Sequence, residues 1–272
     1  MKCPITLVML SCGEQSEQDC KKAVDPFKDQ FHWFEIKNVF PQVKALNMMI
    51  DSVQTEFFVP LDSDMVLYND GWARIKNAWR RHKNDSSWHS ILFPLYDTLT
   101  ERKILALKLM RTSMMKESLF SDTPTPDVEH YSRLTGKGYS CIHDYLDQRP
   151  IGDHRVIGKK FCYAKYRDVY QTYRYHDFEW DSGAFMGGKN IRDKALNHFN
   201  YFFGKWAVTG NPDYLHCIAG MMDGILMPLD NKSKTLEKVE YKIDSTYAVS
   251  IFMDWMMEKD ERWLDKSSSA FI

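Results

Sequence analysis

Glu56-Phe57-Phe58-Val59-Pro60-Leu61-Asp62-Ser63-Asp64 is the stretch on which the reading of this chain turns. An apolar run of strand length, rich in aromatics and Val, stops abruptly at two carboxylates one residue apart. Such runs read as buried strands. Side chains alternate along a strand, so Asp62 and Asp64 share a face wherever the backbone stays extended. Two hard oxygen donors at the tip of a buried strand suit a divalent cation. Mg²⁺ in particular is commonly held by one or two carboxylates, with substrate phosphates and water filling the shell. The chemistry implied is a phosphate-bearing substrate, a metal and a group transfer.

Upstream, Ile5–Leu10 is an apolar strand closed by the turn Ser11-Cys12-Gly13, and Glu17–Phe27 has helical potential. His32–Ile36 is the next strand. After Pro41, Val43, Leu46, Met49, Ile50 and Val53 recur at helical spacing. Strands alternating with helices predict an α/β unit with a parallel sheet. Ligands of such sheets bind beyond the carboxyl ends of the strands, which collects Ser11-Cys12, Lys37-Asn38 and Asp62–Asp64 at one edge.

Downstream, Asn69-Asp70-Gly71 is a turn before a helix from Trp72 to about Lys83. Its Arg74, Lys76, Arg80, Arg81 and Lys83 read as a solvated basic face. Ile91–Leu95 is a strand and Lys103–Lys116 a helix. The Tyr-, Lys- and Arg-rich run from Arg155 to Tyr175 reads as a half-exposed β surface. Residues 98–177 together read as an elaboration that shapes a cleft. Three glycines mark Ser182–Lys189, and a helix is expected over Ile191–Phe199. Asn211-Pro212-Asp213 is a helix-start signature, with the helix expected to reach Met222, end at Gly224 and give way to a short strand, Ile225–Pro228. Tyr247–Trp263 is an amphipathic tail segment.

The composition permits a sizeable core: 272 residues, 44% hydrophobic, 14% aromatic. A formal net charge of -1 argues against a protein that coats nucleic acid, which would carry a strong basic bias. The cysteines at 3, 12, 20, 141, 162 and 217 form no CxxC pair, so a structural zinc site of the usual spacing is not expected. No apolar run approaches the roughly 20 residues of a membrane span. A soluble, cytoplasmic protein is the expectation.

The order of these elements resembles that of the nucleotide-sugar-dependent glycosyltransferases of the A type (GT-A), especially family 2. The resemblance rests on Ile5–Leu10, Lys44-Ala45-Leu46-Asn47, the strand ending in Asp62-Ser63-Asp64, the Gly-rich Ser182–Lys189, Asp213, and the exit Gly224–Pro228. It covers roughly residues 4–96 and 178–229. It implies a GT-A (Rossmann-like) α/β fold with a mixed, mostly parallel central sheet flanked by helices, an inserted segment and a C-terminal helical tail. The whole chain would be one catalytic domain, with 1–97 binding the nucleotide sugar, 98–177 inserted, 178–230 on the acceptor side and 231–272 a helical tail.

The activity implied is transfer of a sugar from a nucleoside-diphosphate sugar such as a UDP-sugar to an acceptor hydroxyl, assisted by Mn²⁺ or Mg²⁺ and inverting. By the resemblance, Asp64 is the metal ligand, and Asp62 contacts ribose or shares the metal. Ser11, Lys44, Asn47, Asp62, Ser63, Gly187 and Gly188 line the nucleotide-sugar site. Asp213 is the general base, with Asp181 its rival or a ligand of donor hydroxyls. The chain departs from the family in two places. The acidic helix start usually reads Glu-Asp-x-Asp, and only Asp213 survives here. A third metal ligand is often a His near the C-terminus, and this chain has none after His216, which leaves Asp64, diphosphate and water. His143, His154 and His176 fit no zinc spacing and read as surface or cleft residues. Two alternatives stay open: a nucleotidyltransferase of similar fold, disfavoured because Ser11–Gln15 is neither basic nor Gly-rich, and a non-catalytic nucleotide-sugar-binding module. The acceptor, whether glycan, lipid-linked sugar, protein or modified nucleic-acid base, is left open.

Overall fold

The computed structural model describes residues 2–143, 149–175, 191–227 and 245–257. They fall into two compact units, one running to Ile157 and the other beginning at Gly158.

The first unit is built on a mixed sheet. Strands β1 (Ile5–Ser11), β2 (His32–Lys37) and β3 (Phe57–Asp62) are parallel, with β1 in the middle. β4 (Met65–Leu67) follows the acidic pair. β5 (Trp88–Asp97) and β6 (Arg102–Arg111) form a hairpin, and β6 runs antiparallel to β3. β7 (Ser140–His143) and β8 (Gly152–His154) both lie parallel to β5. β8 also pairs antiparallel with β4, giving the order β2-β1-β3-β6-β5-β8-β4. The flanking helices are α1 (Glu17–Val24), α2 (Gln42–Ser52), α3 (Gly71–His82), α4 (Thr112–Lys116) and α5 (Pro126–Gly136).

The central strands are apolar on both faces because both faces are covered. Ile5, Leu7, Met9, Phe57, Val59 and Leu61 join Phe31, Trp72 and Ile75 on one side. Val8, Phe58 and Met110 join Leu46, Met49, Ile50, Met115 and Leu134 on the other. The helix expected over Lys103–Lys116 is instead strand β6 followed by the short α4. Its Lys, Leu, Ala and Met content favours a helix locally, but strands β3 and β5 on either side give its backbone a ladder and bury Leu107, Leu109 and Met110, and tertiary pairing overrides propensity. The basic face of α3 is partly engaged. Arg74 donates to the carbonyls of Arg149 and Pro150, and Lys76 to Gln30 Oε1 at 2.7 Å.

The second unit is helical among its described residues: α6 (Lys159–Tyr175), α7 (Ile191–Thr209), α8 (Asp213–Leu226) and α9 (Ser245–Met257). The Tyr-rich run is therefore a helix and not a β surface. Tyr163, Tyr166, Tyr170 and Tyr173 recur at helical spacing and are all buried. Nor does Gly224 end α8. The helix continues through Ile225 and Leu226, where a strand was expected, and Pro228 lies outside the described residues. Gly220 and Gly224 instead allow α8 to touch the backbone of α6. A Cβ at Gly220 would stand 2.0 Å from the Tyr163 carbonyl oxygen, and one at Gly224 2.5 Å from that of Arg167. The helix starts at Asp213 with Pro212 at its cap, one residue later than read, and Asn211 Oδ1 accepts the Asp213 N–H at 3.0 Å. In α9, Phe252 stacks on Phe199 with ring centroids 3.9 Å apart.

Candidate active site

Strand β3 ends at Asp62, and the backbone turns through Ser63 and Asp64 before β4 begins. The chain does not stay extended across the pair. Ser63 N–H donates to the Leu10 carbonyl at 2.9 Å, which holds the turn against the end of β1. The Asp64 carbonyl accepts the Arg155 N–H at 2.7 Å, which ties the turn to the end of β8.

The loop after β1 folds onto this turn. Glu14 accepts hydrogen bonds from the fully buried Ser63 hydroxyl and from the Cys12 N–H at 2.9 Å. The Cys12 thiol also donates to Glu14, at 3.1 Å. Gly13, at φ 89°, takes the left-handed conformation that lets the loop reverse. Ser11 donates to Glu17 Oε2 at 2.5 Å. Glu17 in turn meets Lys21 at 2.7 Å and Lys37 at 2.9 Å. These partners hold the Glu17 carboxyl down at about 2, with Lys21 the largest contributor, then Ser11 and Lys37.

Three carboxylates thus surround one small region. Burial, followed by the neighbouring charges of Asp64 and Glu14, pushes the Asp62 carboxyl well above the usual carboxylate range, while His154 and Lys108 pull the other way. Burial and the same acids also push the Cys12 thiol up, and burial with Asp64 and Asp62 pushes Cys20 up to about 12, so neither thiol is a ready nucleophile.

The opposite wall is β8. Register aligns His154 with Met65 on β4 and with Asp97 on β5. Its Nε2 lies 3.2 Å from Asp64 Oδ2 and its Nδ1 3.0 Å from Asp97 Oδ2. Asp97 is buried, and its other oxygen accepts the N–H groups of Leu99 and Thr100 at 3.0 and 2.9 Å. Sequence reasoning did not bring Glu14 or Asp97 to the acidic turn, and it read His154 only as a surface or cleft residue; the structure sets it against Asp64.

The other expected residues are placed as follows. Ser63 is in the turn, engaged by Glu14. Lys44 is exposed in the first turn of α2. Asn47, expected in the nucleotide pocket, uses both ends of its amide on the Phe120 backbone, at 2.8 and 3.0 Å, and so holds the segment after α4. Asp213 opens α8, and its carboxylate accepts the Gly158 N–H at 3.0 Å. Asp181, Gly187, Gly188 and His176 lie outside the described residues.

Asp62, Asp64 and Glu14 bring carboxylate oxygens, the donors that a hard divalent cation takes, into one region. Among the described residues, no three His, Cys, Asp or Glu side chains already stand in cation-holding geometry. Such an arrangement is usual where substrate phosphates supply part of the shell.

No protein-family model matches this chain, and no curated protein does. Solved structures do. A mannosyltransferase from Pyrobaculum calidifontis, solved with GDP-Man and Mn²⁺, shares 10% identity over 98% of this chain and 84% of its own, with a TM-score of 0.46. Glucosyl-3-phosphoglycerate synthase from Mycobacterium tuberculosis, solved with Mn²⁺, UDP and glucosyl-3-phosphoglycerate, shares 10% over 67% of this chain and 82% of its own, at 0.44. Residues 1–349 of TarS from S. aureus share 10% over 94% and 89%, at 0.39. No helix among the described residues is long and apolar enough to cross a membrane.

Proposed function

We propose that this protein is a metal-assisted glycosyltransferase that takes its sugar from a nucleoside-diphosphate sugar. The observation that carries the reading is the acidic turn Asp62-Ser63-Asp64 at the carboxyl end of a buried parallel strand, packed against the loop that follows β1. Asp64 is the cation ligand in this reading, with Asp62 beside it for the cation or the ribose. A divalent cation there would neutralise the charge that builds on the departing diphosphate. Burial does most to lift Asp62, and the repulsion from Asp64 and Glu14 that adds to it is what a bound cation would relieve. Ser11 and Lys44 lie on the donor side, and Gly187 and Gly188 are assigned to the donor loop.

An inverting transfer needs a carboxylate that accepts the acceptor hydroxyl's proton as that oxygen attacks the anomeric carbon. Asp213 is assigned this role, with Asp181 the alternative. The remaining contribution is positioning and charge stabilisation.

The test is a thermal-shift screen of nucleoside-diphosphate sugars with and without Mn²⁺, followed by a transfer or donor-hydrolysis assay on the hits. A ligand selective for the native state at 100 times its Kd adds about 2.7 kcal/mol. The expected result is a shift that requires both nucleotide and Mn²⁺ and disappears in Asp64→Ala. Turnover that survives unchanged in Asp64→Ala refutes the proposal.

A further inference from the structure

We infer that the outward face of α3, with Lys2 beside it, docks on an anionic phospholipid membrane. The inference concerns a surface away from the acidic turn and does not depend on the proposed activity.

The argument begins with the charge pattern. Between Gly71 and Asn84 the chain has no acidic residue. Lys76, Arg80 and Lys83 stand at i, i+4 and i+7, which sets them in one stripe along the helix. Arg80, Arg81 and Lys83 are exposed, and the exposed Ala73 and Asn77 are short and neutral, so the face is flat as well as basic. Burial raises the Cys3 thiol, and the nearby charges of Lys76, Arg80 and Lys83 oppose that shift, which sets the exposed Lys2 at the same place.

The positive charge of the stripe is not neutralised. Lys76 donates to Gln30 and lies over the Trp72 ring, 5.7 Å from its centroid. Arg80 donates to Asn77 at 3.4 Å, and Lys83 lies over Trp79 at 5.1 Å. All these partners are neutral. Of the acids at this edge, Glu56 meets Arg111 at 3.3 Å and Asp25 meets Lys28 at 2.6 Å.

The stripe lies at the amino ends of the strands. Trp88 Nε1 donates to the His82 carbonyl at 2.7 Å, which ties the end of α3 to the start of β5. Phe57 N–H donates to the Pro4 carbonyl at 3.3 Å, which ties the starts of β3 and β1 together. Asp62, Asp64 and Glu14 gather at the opposite end of β1, whose 7 residues span about 23 Å. The first unit thus carries bases at one end of its sheet and acids at the other, in a chain of net charge -1. An anionic surface attracts the first end and repels the second, so the bound protein turns its acidic turn toward water.

The partner follows from what the face lacks. Single strands of nucleic acid are held by stacking on open aromatic rings. Here Trp72 is buried, and lysines lie over both Trp72 and Trp79. A flat anionic lipid surface asks only for clustered Lys and Arg.

The full-length chain is sedimented with phosphatidylcholine vesicles, with and without phosphatidylserine. Binding is expected only with phosphatidylserine and is expected to weaken as salt rises. Each base near such a surface multiplies binding about fivefold, so the double variant Arg80→Gln, Lys83→Gln is expected to lose about 25-fold, with an unchanged thermal midpoint. The charge-keeping pair Arg80→Lys, Lys83→Arg is expected to bind as the wild type does. Amine acetylation of the wild type locates the surface whether or not a variant folds. Vesicles are expected to slow it at Lys2, Lys76 and Lys83 and to leave the exposed Lys103 unchanged. Equal sedimentation with both vesicles overturns the proposal, as does full binding by the folded Gln variant or a footprint that spares α3. Binding to single-stranded RNA in preference to the vesicles also overturns it, and makes nucleic acid the partner.

Discussion

Glu14 shows how one side chain sets the electrostatics of the site. Its carboxylate adds negative charge beside Asp62 and Asp64 and takes part in lifting Asp62. Glu14→Gln removes that charge but keeps an acceptor for Ser63 and Cys12. The Asp62 carboxyl is then expected to titrate at lower pH than in the wild type, as read by carboxyl ¹³C shifts in the metal-free protein. An unchanged or higher midpoint would show that Glu14 does not act on Asp62 through charge. At this scale the sequence was legible where chemistry is local. Asp62 and Asp64 stand out because an apolar strand stops at them. Asp97 and His154 do not stand out, because their meaning depends on partners far along the chain: Asp64 and His154 are 3.2 Å apart across about 90 residues of sequence. No spacing rule reports such a pair. Asn47 is the converse case. Its place in a family-like element pointed to a pocket, while its amide is satisfied by a backbone that the sequence does not place nearby.

Among the elements, the first three strands and their helices were readable from periodicity, and β6 and α6 were not. In both misread elements the deciding fact is what lies on either side. Helix α8 makes the point quantitatively. Replacing a mid-helix Gly by Ala normally gains up to about 1 kcal/mol of helix propensity. At Gly204 of α7 an added Cβ meets nothing within 4 Å, so Gly204→Ala is expected to raise stability by about 0.5–1 kcal/mol. At Gly220 the same methyl would stand 2.0 Å from a backbone oxygen. Overpacking of about 1–3 kcal/mol then outweighs the propensity gain, and Gly220→Ala is expected to be destabilising. Urea midpoints of the two variants should move in opposite directions. If both rise, the close contact between α6 and α8 is wrong.

A second element-scale prediction concerns β5 and α5. His89 and His130 are fully buried, and His89 stacks on Tyr131 with centroids 5.4 Å apart. Burial is the main cause that holds each imidazole down at about 4, helped by the charges of His130 and Lys108 at His89 and of Arg133 and Lys108 at His130. The unfolded chain takes up these protons near pH 6.5, whereas the native state resists them until about 4. Stability from this pair is therefore complete above pH 6.5 and falls as pH drops toward 4, by on the order of 1–2 kcal/mol per histidine at pH 5. Glu17, held at about 2, loses its contribution in a lower window, from about 4.5 downward. Urea titrations at pH 7.5, 6 and 5 should show the loss in the wild type and a flatter profile in the His89→Asn, His130→Gln double variant. Equal slopes would remove the histidines as its cause.

On the scale of the whole chain, the first unit converts distance in sequence into one chemical locus. The loop after β1, the turn after β3, the end of β5 and the end of β8 come together because the sheet order sets β8 between β4 and the strand whose hairpin partner pairs with β3. That arrangement predicts which amides respond to ligand. A ligand that binds only the native site stabilises the segments that hold it, and their exchange with solvent slows accordingly. Hydrogen exchange with Mn²⁺ and a nucleoside diphosphate is expected to slow at residues 11–14, 62–67, 97–100 and 152–156, four stretches with no adjacency in sequence. Asp64→Ala should abolish the effect in all four together, because one cation is the element they share. Protection confined to the first two stretches would place the nucleotide near β1 and β3 but leave β5 and β8 outside the site. A response in all four that outlives Asp64→Ala would mean that the nucleotide, and not the acidic turn, organises them.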